Sequence, residues 1–265
     1  TAPTEIYTLS LPDALPISAL YAYRADLLDA VDSFDKPIRT YDAIQVTANQ
    51  RFSKNALLMA SYTYSRSVGN FPGLFSTETG QLDPNLTSMY DLADLMANRY
   101  GALGHDRPHN LKIDGFYQFD LKDAGLIVLG GSFRGQSGIA QNTPGAPVFY
   151  GDQESYLLPR GSAERGPFTW TGDVKGTYGR MFGSTKVEAF IDVFNLFNNQ
   201  AETSVDEEYT VESVNPVVGG DADDLRHAKS LDSGGFATPV KSANFGNTDA
   251  RQAPMSVRFG LRGTF

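Results

Sequence analysis

Residues 187–200, VEAFIDVFNLFNNQ, decide the fold. Small and branched apolar residues occupy every second position from Val187 to Val193, and the positions between them alternate carboxylates with phenylalanine rings. Alternation with a period of two is typical of a β-strand whose two faces meet different surroundings. A face that mixes acids with rings does not suit a strand between a soluble core and water. It suits a barrel wall, with lipid on one side and a filled or watery lumen on the other. Asn198 and Asn199 then indicate a loop.

The composition narrows the possible classes of protein. The chain has 265 residues, no cysteine and a formal net charge of −9. That length allows one large or two small β domains, and the lack of cysteine excludes a disulfide framework and thiolate chemistry. The acidic balance argues against nucleic acid as a partner, because phosphate binding needs a basic face. The absence of a run of eighteen apolar residues excludes a transmembrane helix but leaves barrel strands of about ten residues possible.

The first residues do not join the pattern of the rest. Residues 1–18, TAPTEIYTLSLPDALPIS, show no alternation, and they resemble the translation of a sequencing adaptor that reads TEIYTLSLHDALPIS. We therefore expect residues 1–18 to be non-native, and we expect the remaining sequence to be a fragment of a longer protein. Residues 19–40 are ambiguous and are interpreted as part of a strand followed by a loop. The barrel portion is predicted to span residues 41–265.

Strand-like segments come in pairs joined by short turns. The predicted hairpins pair residues 41–52 with 56–66, 108–119 with 125–135, and 168–179 with 185–197, and a last strand covers 254–265. The connections between the hairpins are long, and one of them contains a possible short helix at 88–98. The third connection includes residues 201–235, a stretch that contains nine acidic and two basic residues. We expect that stretch to be one solvated external loop, with calcium binding as the less favoured alternative, since it lacks the EF-hand spacing.

The alternation of short and long connections predicts an antiparallel transmembrane β-barrel. Loops of thirty to fifty residues are rare in compact soluble domains, whereas barrels have short periplasmic turns and long external loops by construction. Counting strands from residue 41 places the end of the last strand in the periplasm. The aromatic end of that strand predicts a signal for the barrel-assembly machinery, carried by Phe259, Leu261 and Phe265.

Several stretches together resemble the barrel of TonB-dependent outer-membrane receptors. The resemblance is carried by YDAIQVTANQRFS, ASYTYSRS, NRYGALGHDRPHNLKIDGFY, LPRGSAERGPFTWTGDV, VEAFIDVFNLFNNQ and NFGNTDARQAPMSVRFGLRGTF. Among these, DVFNLFN is the most specific piece and the closing RFGLR-x-x-F is the next. The branch that the chain is most similar to is the Oar-like one, which carries a carboxypeptidase-regulatory-like domain at its N-terminus.

The resemblance implies a barrel of 22 strands, of which this chain holds about seven or eight, at the C-terminal end. It also implies an N-terminal plug and a TonB box, both absent from this sequence, and energised uptake of an unidentified ligand in the outer membrane of a Gram-negative bacterium. The implied partners are outer-membrane lipid, the assembly machinery and the TonB complex. No catalytic, cofactor or metal site is expected. A passive porin-like or adhesin-like barrel, and a soluble β-rich secreted module, are the alternatives.

Charged residues alternate with the apolar ones and are expected to face the lumen. We expect them to form cross-strand pairs that hold register and contact the plug, with a substrate path as the alternative. They are Lys112, Asp114, Asp173, Lys175, Glu188, Asp192, Arg258 and Arg262. The motif HDRPH at residues 105–109 resembles a metal or catalytic cluster, but Pro108 forbids the helix that would align its histidines. We therefore interpret HDRPH as a loop packed against a strand.

Truncation of a barrel has a structural consequence. Seven or eight strands cannot close a barrel built for many more. The expected result is either a curved sheet with two open edges, which are prone to aggregation, or a small artificially closed barrel.

Overall fold

The computed structural model describes residues 35–75, 89–90, 93–146 and 155–265. The predictions for residues 1–18, and for 19–34 within the ambiguous segment, lie outside these ranges. The strands are β1 (Arg39–Ser53), β2 (Ala56–Gly69), β3 (Gly101–Ala102), β4 (His109–Asp120), β5 (Leu126–Gln136), β6 (Pro144–Ala146), β7 (Ser155–Tyr156), β8 (Thr169–Phe182), β9 (Thr185–Phe194), β10 (Glu202–Val205), β11 (Thr210–Ser213), β12 (Thr248–Arg251) and β13 (Ser256–Thr264). Short 3-10 helices cover Ala93–Met96, Lys122–Ala124 and Asp224–His227.

The long strands form one sheet in the order β1-β2-β4-β5-β8-β9-β13, and the short β3 pairs with β2. Every pairing in this sheet is antiparallel. The three predicted hairpins and the last strand are confirmed. The turn of the third hairpin is tighter than predicted, because β8 continues to Phe182 and only Gly183 and Ser184 lie between the strands. Gly183 adopts a φ of 63°, a left-handed conformation that glycine enters without steric cost.

One face of the sheet is apolar across all seven long strands. The register aligns Ile191 with Phe259 on one side and with Gly176 on the other, and the same row continues through Leu129 to Tyr117. These side chains are open to the surroundings, with Phe259 75% exposed. A soluble protein rarely exposes an apolar band of this extent, whereas the lipid-facing side of a barrel requires one.

The sheet is open. Among the described residues, β1 and β13 each pair with one neighbouring strand, so both edges lack a partner and the barrel is not closed. This confirms the sheet with two open edges. The backbone groups along such edges are ready to pair with further strands.

Among the described residues, the cluster of buried apolar side chains lies in the long connections, and Val68 near the end of β2 is the one buried apolar residue of the long strands. Leu157 and Leu158 of the second connection pack against residues of the third, namely Val214, Leu225 and Ala228. The same connections form a three-stranded sheet in the order β11-β6-β7 and a two-stranded sheet of β10 with β12. We call this folded part of the connections the loop lobe.

Two predictions about the connections need correction. The stretch 201–235 is part of a long connection, but it is not one solvated loop, because it contains β10, β11 and the 3-10 helix Asp224–His227 and buries Val214 and Leu225. Its burial against residues 157 and 158 gives it that structure. Within the stretch 88–98, where a short helix was possible, the described residues 89–90 and 93–96 are 3-10 helical and not α-helical.

No helix among the described residues is long and apolar enough to cross a membrane, a finding that concerns helices alone.

Candidate functional site

The face opposite the apolar one carries all eight charged residues predicted from the sequence, and we call it the charged face. On β8, β9 and β13 the register aligns Lys175 with Asp192 and Asp192 with Arg258. Arg258 donates to Asp192 Oδ2 from Nε at 2.8 Å and from Nη2 at 2.6 Å. Lys175 Nζ lies 3.2 Å from Asp192 Oδ1. The Asp192 side chain is only 5% exposed, so one buried carboxylate binds cations from both neighbouring strands.

An aromatic ring lies beside this cluster. Phe190 is aligned with Gly260, and its ring occupies the space that a side chain at Gly260 would take. The same ring lies 4.6 Å from Lys175 Nζ and 5.9 Å from Arg258 Cζ. Both distances fall within the range of a cation–π contact. The alternation of acids with rings along β9 therefore places each carboxylate near its cations and each ring beside them.

A second charge group lies two rows closer to the turn of the third hairpin. Glu188 Oε1 is 2.7 Å from Lys186 Nζ, and Glu188 Oε2 is 4.0 Å from Arg262 Nη1. Lys186 was not among the predicted residues. It stands two positions before Glu188 on the same strand, so continuing the alternation by one step identifies it.

A third group joins β4 to β5, where Arg134 Nη2 lies 2.6 Å from Asp114 Oδ1. Arg134 was also missed, because the near-continuous apolar run at the start of β5 hides which of its residues face the charges. The expectation of an ion pair does not hold for Asp173 among the described residues. That carboxylate accepts hydrogen bonds from Ser132 Oγ at 3.2 Å and from the backbone N–H of Asn195 at 2.8 Å.

Five of these charged residues, Asp114, Asp173, Lys175, Asp192 and Arg258, line an open cavity of about 430 Å³ on the charged face. Its lining also includes the apolar residues Leu57, Met59, Phe116 and Phe194. Matched charges and rings of this kind orient a polar surface packed against them. They lack the arrangement of nucleophile and base that catalysis would need.

The HDRPH motif fastens the connections to the end of β2. Asp106 is buried, and its carboxylate accepts from the backbone N–H of Ser67 at 2.6 Å and from Arg165 Nη2 at 2.7 Å. His105 Nε2 lies 2.9 Å from Ser67 Oγ. The pKa of Arg107 is lowered mainly by burial and to a smaller extent by the positive charge of the neighbouring Arg165. Arg107 donates a hydrogen bond to Ser137 O at 2.7 Å. These contacts agree with the interpretation of HDRPH as packing between loop and strand.

A single asparagine joins the three long connections within the loop lobe. Asn98 Nδ2 donates to the carbonyls of Tyr156, Leu157 and Val217 at 3.0 to 3.2 Å. Its Oδ1 accepts from the backbone N–H of Gly219 at 3.0 Å. Because its partners lie in two other connections, Asn98 helps the lobe to fold as one unit.

The acidic part of the loop lobe lines a separate cavity of about 310 Å³ with Asp206, Glu207, Glu208 and Asp249. Across the described ranges, no group of three or more histidine, cysteine, aspartate or glutamate side chains is arranged to hold a metal ion.

A family model described as "Outer membrane beta barrel domain" matches residues 23–126. Together with the antiparallel sheet and its exposed apolar face, this match defines the class: the protein is an outer-membrane β-barrel protein, located in the outer membrane of a Gram-negative bacterium.

The sequence is also similar to the TonB-dependent transporter Oar of Myxococcus xanthus, at 40% identity over 243 residues. The similarity covers 88% of this chain and 23% of that relative, so the chain spans less than a quarter of the relative's length. The two comparisons confirm the resemblance found in the sequence to the barrel of Oar-like TonB-dependent receptors. Both comparisons also support the expectation that the chain is not an enzyme. No solved structure matches the chain.

Proposed function

We propose that the chain forms the C-terminal wall of a TonB-dependent receptor that takes up an unidentified ligand across the outer membrane. The observation that carries the proposal is one sheet with an exposed apolar face and an opposite face of paired charges. Its support from sequence is the similarity to a TonB-dependent transporter. In this proposal the rest of the polypeptide supplies further strands, a plug and the segment that binds the TonB complex.

The charged face is the lumen side of the wall in this proposal. Its pairs link neighbouring strands, and the open cavity above them offers a surface of alternating charge to a plug. The eight residues assigned to the lumen are Lys112, Asp114, Asp173, Lys175, Glu188, Asp192, Arg258 and Arg262. A substrate path along this face is the alternative role for the same residues, because a passing ligand would meet the same open cavity.

The apolar face contacts lipid, and β13 carries the assembly signal. Phe259 and Leu261 are 75% and 80% exposed on the apolar face of the last strand, and Phe265 follows that strand. An exposed row of large apolar side chains on an edge strand is a surface that the assembly machinery can recognise.

Membrane fractionation of the full-length protein tests the location, and single-cysteine variants test the two faces. The chain has no cysteine, so each introduced thiol is unique within it. A spin label at Ala189, on the apolar face, should be relaxed by oxygen, which concentrates in lipid. A label at the adjacent Glu188 should be relaxed by a water-soluble nickel complex. Equal accessibility of both positions to the nickel complex would refute the two-faced wall.

The alternative is a passive porin-like or adhesin-like barrel built on the same wall. The sequence upstream of residue 19 distinguishes the two, because a plug domain with a TonB-binding segment supports the receptor and its absence supports the passive barrel. Co-purification of the full-length protein with TonB provides the second test. We expect the intact protein to retain TonB. We expect TonB to be lost when the segment before the plug is deleted.

A further inference from the structure

We propose that the loop-side end of the charged face holds a pocket for an anionic group, a carboxylate or a phosphate, with Lys112 as its cationic contact. The inference deepens the proposed function and rests on its assignment of the charged face to the lumen. The pocket is a cavity of about 370 Å³, within the usual size of small-molecule sites.

Two rows of polar side chains build the pocket across β4, β5 and β8. The register places Lys112 directly opposite Arg134, and Arg134 directly opposite Thr171. The next row towards the long connections aligns three further hydrogen-bonding side chains, from Asn110, Gln136 and Thr169. All six residues line the cavity, so it combines two cations with neutral amide and hydroxyl groups.

The lining contains no carboxylate. That is unusual for a chain with a net charge of −9, and it contrasts with the acidic cavity of the loop lobe, which is lined by Asp206 and Glu207 among others. A cavity with two cations and no acid favours a negatively charged occupant, because an anion there gains attraction from both cations and meets no repulsion within the lining.

Lys112 also differs from the other cations in the charge groups of this face. Five cations lie within 4.0 Å of a carboxylate, namely Arg134, Lys175, Lys186, Arg258 and Arg262. No carboxylate of the described residues lies within that distance of Lys112. The contacts of Arg134 explain the difference. Its guanidinium is held by Asp114 at 2.6 Å and by the carbonyls of Ile113 and Phe133 at 3.2 and 2.9 Å.

The pairing of Lys112 with Arg134 has a cost that an anion would remove. Like charges directly opposite each other in a sheet are destabilising. The carboxylate of Asp114 forms an ion pair with Arg134, whereas Lys112 remains exposed at the cavity. A carboxylate or phosphate seated between the two cations would offset their repulsion. The anion comes either from a dissolved ligand or from a side chain of the polypeptide outside this chain.

Lysine acylation of the full-length receptor in detergent, read by mass spectrometry, tests the pocket. Inorganic phosphate and citrate are the probes, against chloride at equal ionic strength. Acylation of Lys112 should become about ten-fold slower once the anion stands at about ten times its dissociation constant, because only about a tenth of the sites is then free. Acylation of Lys175, which is paired with Asp192, should change little.

The experiment also separates the two sources of the anion. If Lys112 is unreactive before any anion is added, carbodiimide coupling should link it to a carboxylate of the receptor's own chain. An unreactive Lys112 without such a link, or a rate that is the same in phosphate, citrate and chloride, would overturn the proposal.

Variants give an independent measurement. Phosphate or citrate should raise the thermal midpoint of the receptor and of Lys112→Arg, and should not raise that of Lys112→Gln. Lys186→Gln, which removes a cation of the same face outside the pocket, should respond like the parent. Loss of the response in both glutamine variants would mean that stabilisation by the anion depends on the overall positive charge of the face and not on Lys112. That result would refute the pocket. The outer-membrane location of the receptor is unaffected by either result, so the pocket fails separately from the proposed function.

Discussion

Arg258 and Asp192 form a two-pronged contact between β13 and β9, with Nε and Nη2 of the arginine 2.8 and 2.6 Å from the same carboxylate oxygen. The two side chains differ in exposure, since the carboxylate is 5% exposed and the arginine 62%. Lys175 of β8 holds the other oxygen at 3.2 Å. Asp192 therefore joins three strands through its side chain, in addition to the backbone ladder. The contact fastens the last strand of the sheet to the two before it.

Replacing Asp192 with asparagine should weaken the attachment of β13 more than any other single change on the charged face. The substitution keeps the shape but leaves Lys175 and Arg258 without their shared carboxylate. We expect a lower urea midpoint for the folded full-length barrel, measured by its gel mobility without heating. Glu188→Gln is the control, because Glu188 contacts Arg262 only at 4.0 Å. A midpoint that falls equally in both variants would show that Asp192 has no special role.

A cation introduced on the apolar face should lower the free energy of unfolding far more than a cation introduced on the charged face. Ile191 lies in the middle of β9 and is 39% exposed on the apolar face. A lysine or arginine on a lipid-facing position near the membrane midplane costs about 2–4 kcal/mol, so Ile191→Lys should lower the free energy of unfolding by about that amount. Thr177→Lys introduces the same charge on the opposite face and should cost little. Urea titration of both full-length variants in lipid vesicles measures the difference. Equal costs would contradict the assignment of the faces.

The pairing of Phe190 with Gly260 predicts strong coupling between the two positions. A methyl group at Gly260 would meet the Phe190 ring far inside van der Waals contact, so Gly260→Ala should displace the ring from Lys175 and Arg258. Loss of the cation–π contacts should cost about 1 kcal/mol. In a Phe190→Ala background the same change should be nearly neutral. A double-mutant cycle on the unfolding free energy measures the coupling, and additive costs would refute it.

The strands were predictable because each carries its own signal. The alternation in residues 187–193 is local, so the sequence alone places Val187 and Ile191 on one face and Glu188 and Asp192 on the other. The register follows from joining such strands by short turns. Lys186 follows the same alternation, although it is not among the charged residues predicted from the sequence. Arg134 did not stand out, because four apolar residues in a row at the start of β5 leave its alternation unreadable.

The loop lobe was not predictable from local pattern. Its core joins Leu157 to Val214 and Leu225, which lie far apart in the chain. The local sequence around Leu157 does not indicate that this residue packs against Val214 and Leu225. Each connection therefore appears in the sequence as irregular and polar. The acidic stretch appeared to be one solvated loop for the same reason. Its charges are frequent along the sequence, whereas its few apolar residues form a core only together with residues of another connection. Asn98 likewise gives no signal, because its partners lie in two other connections.

Removing the side chain of Asn98 should loosen the loop lobe without affecting the sheet. Asn98 adopts a φ of 60°, so Asn98→Ala combines lost hydrogen bonds with backbone strain, whereas Asn98→Gly loses the bonds alone. Each net hydrogen bond contributes about 0.5–1.5 kcal/mol. We therefore expect faster amide hydrogen exchange at Gly219 and around Leu157 in both variants of the full-length protein, with the alanine variant faster than the glycine variant. Exchange in β9 should stay unchanged. Protection at Gly219 equal to that of the parent would mean that the shared core alone holds the three connections together.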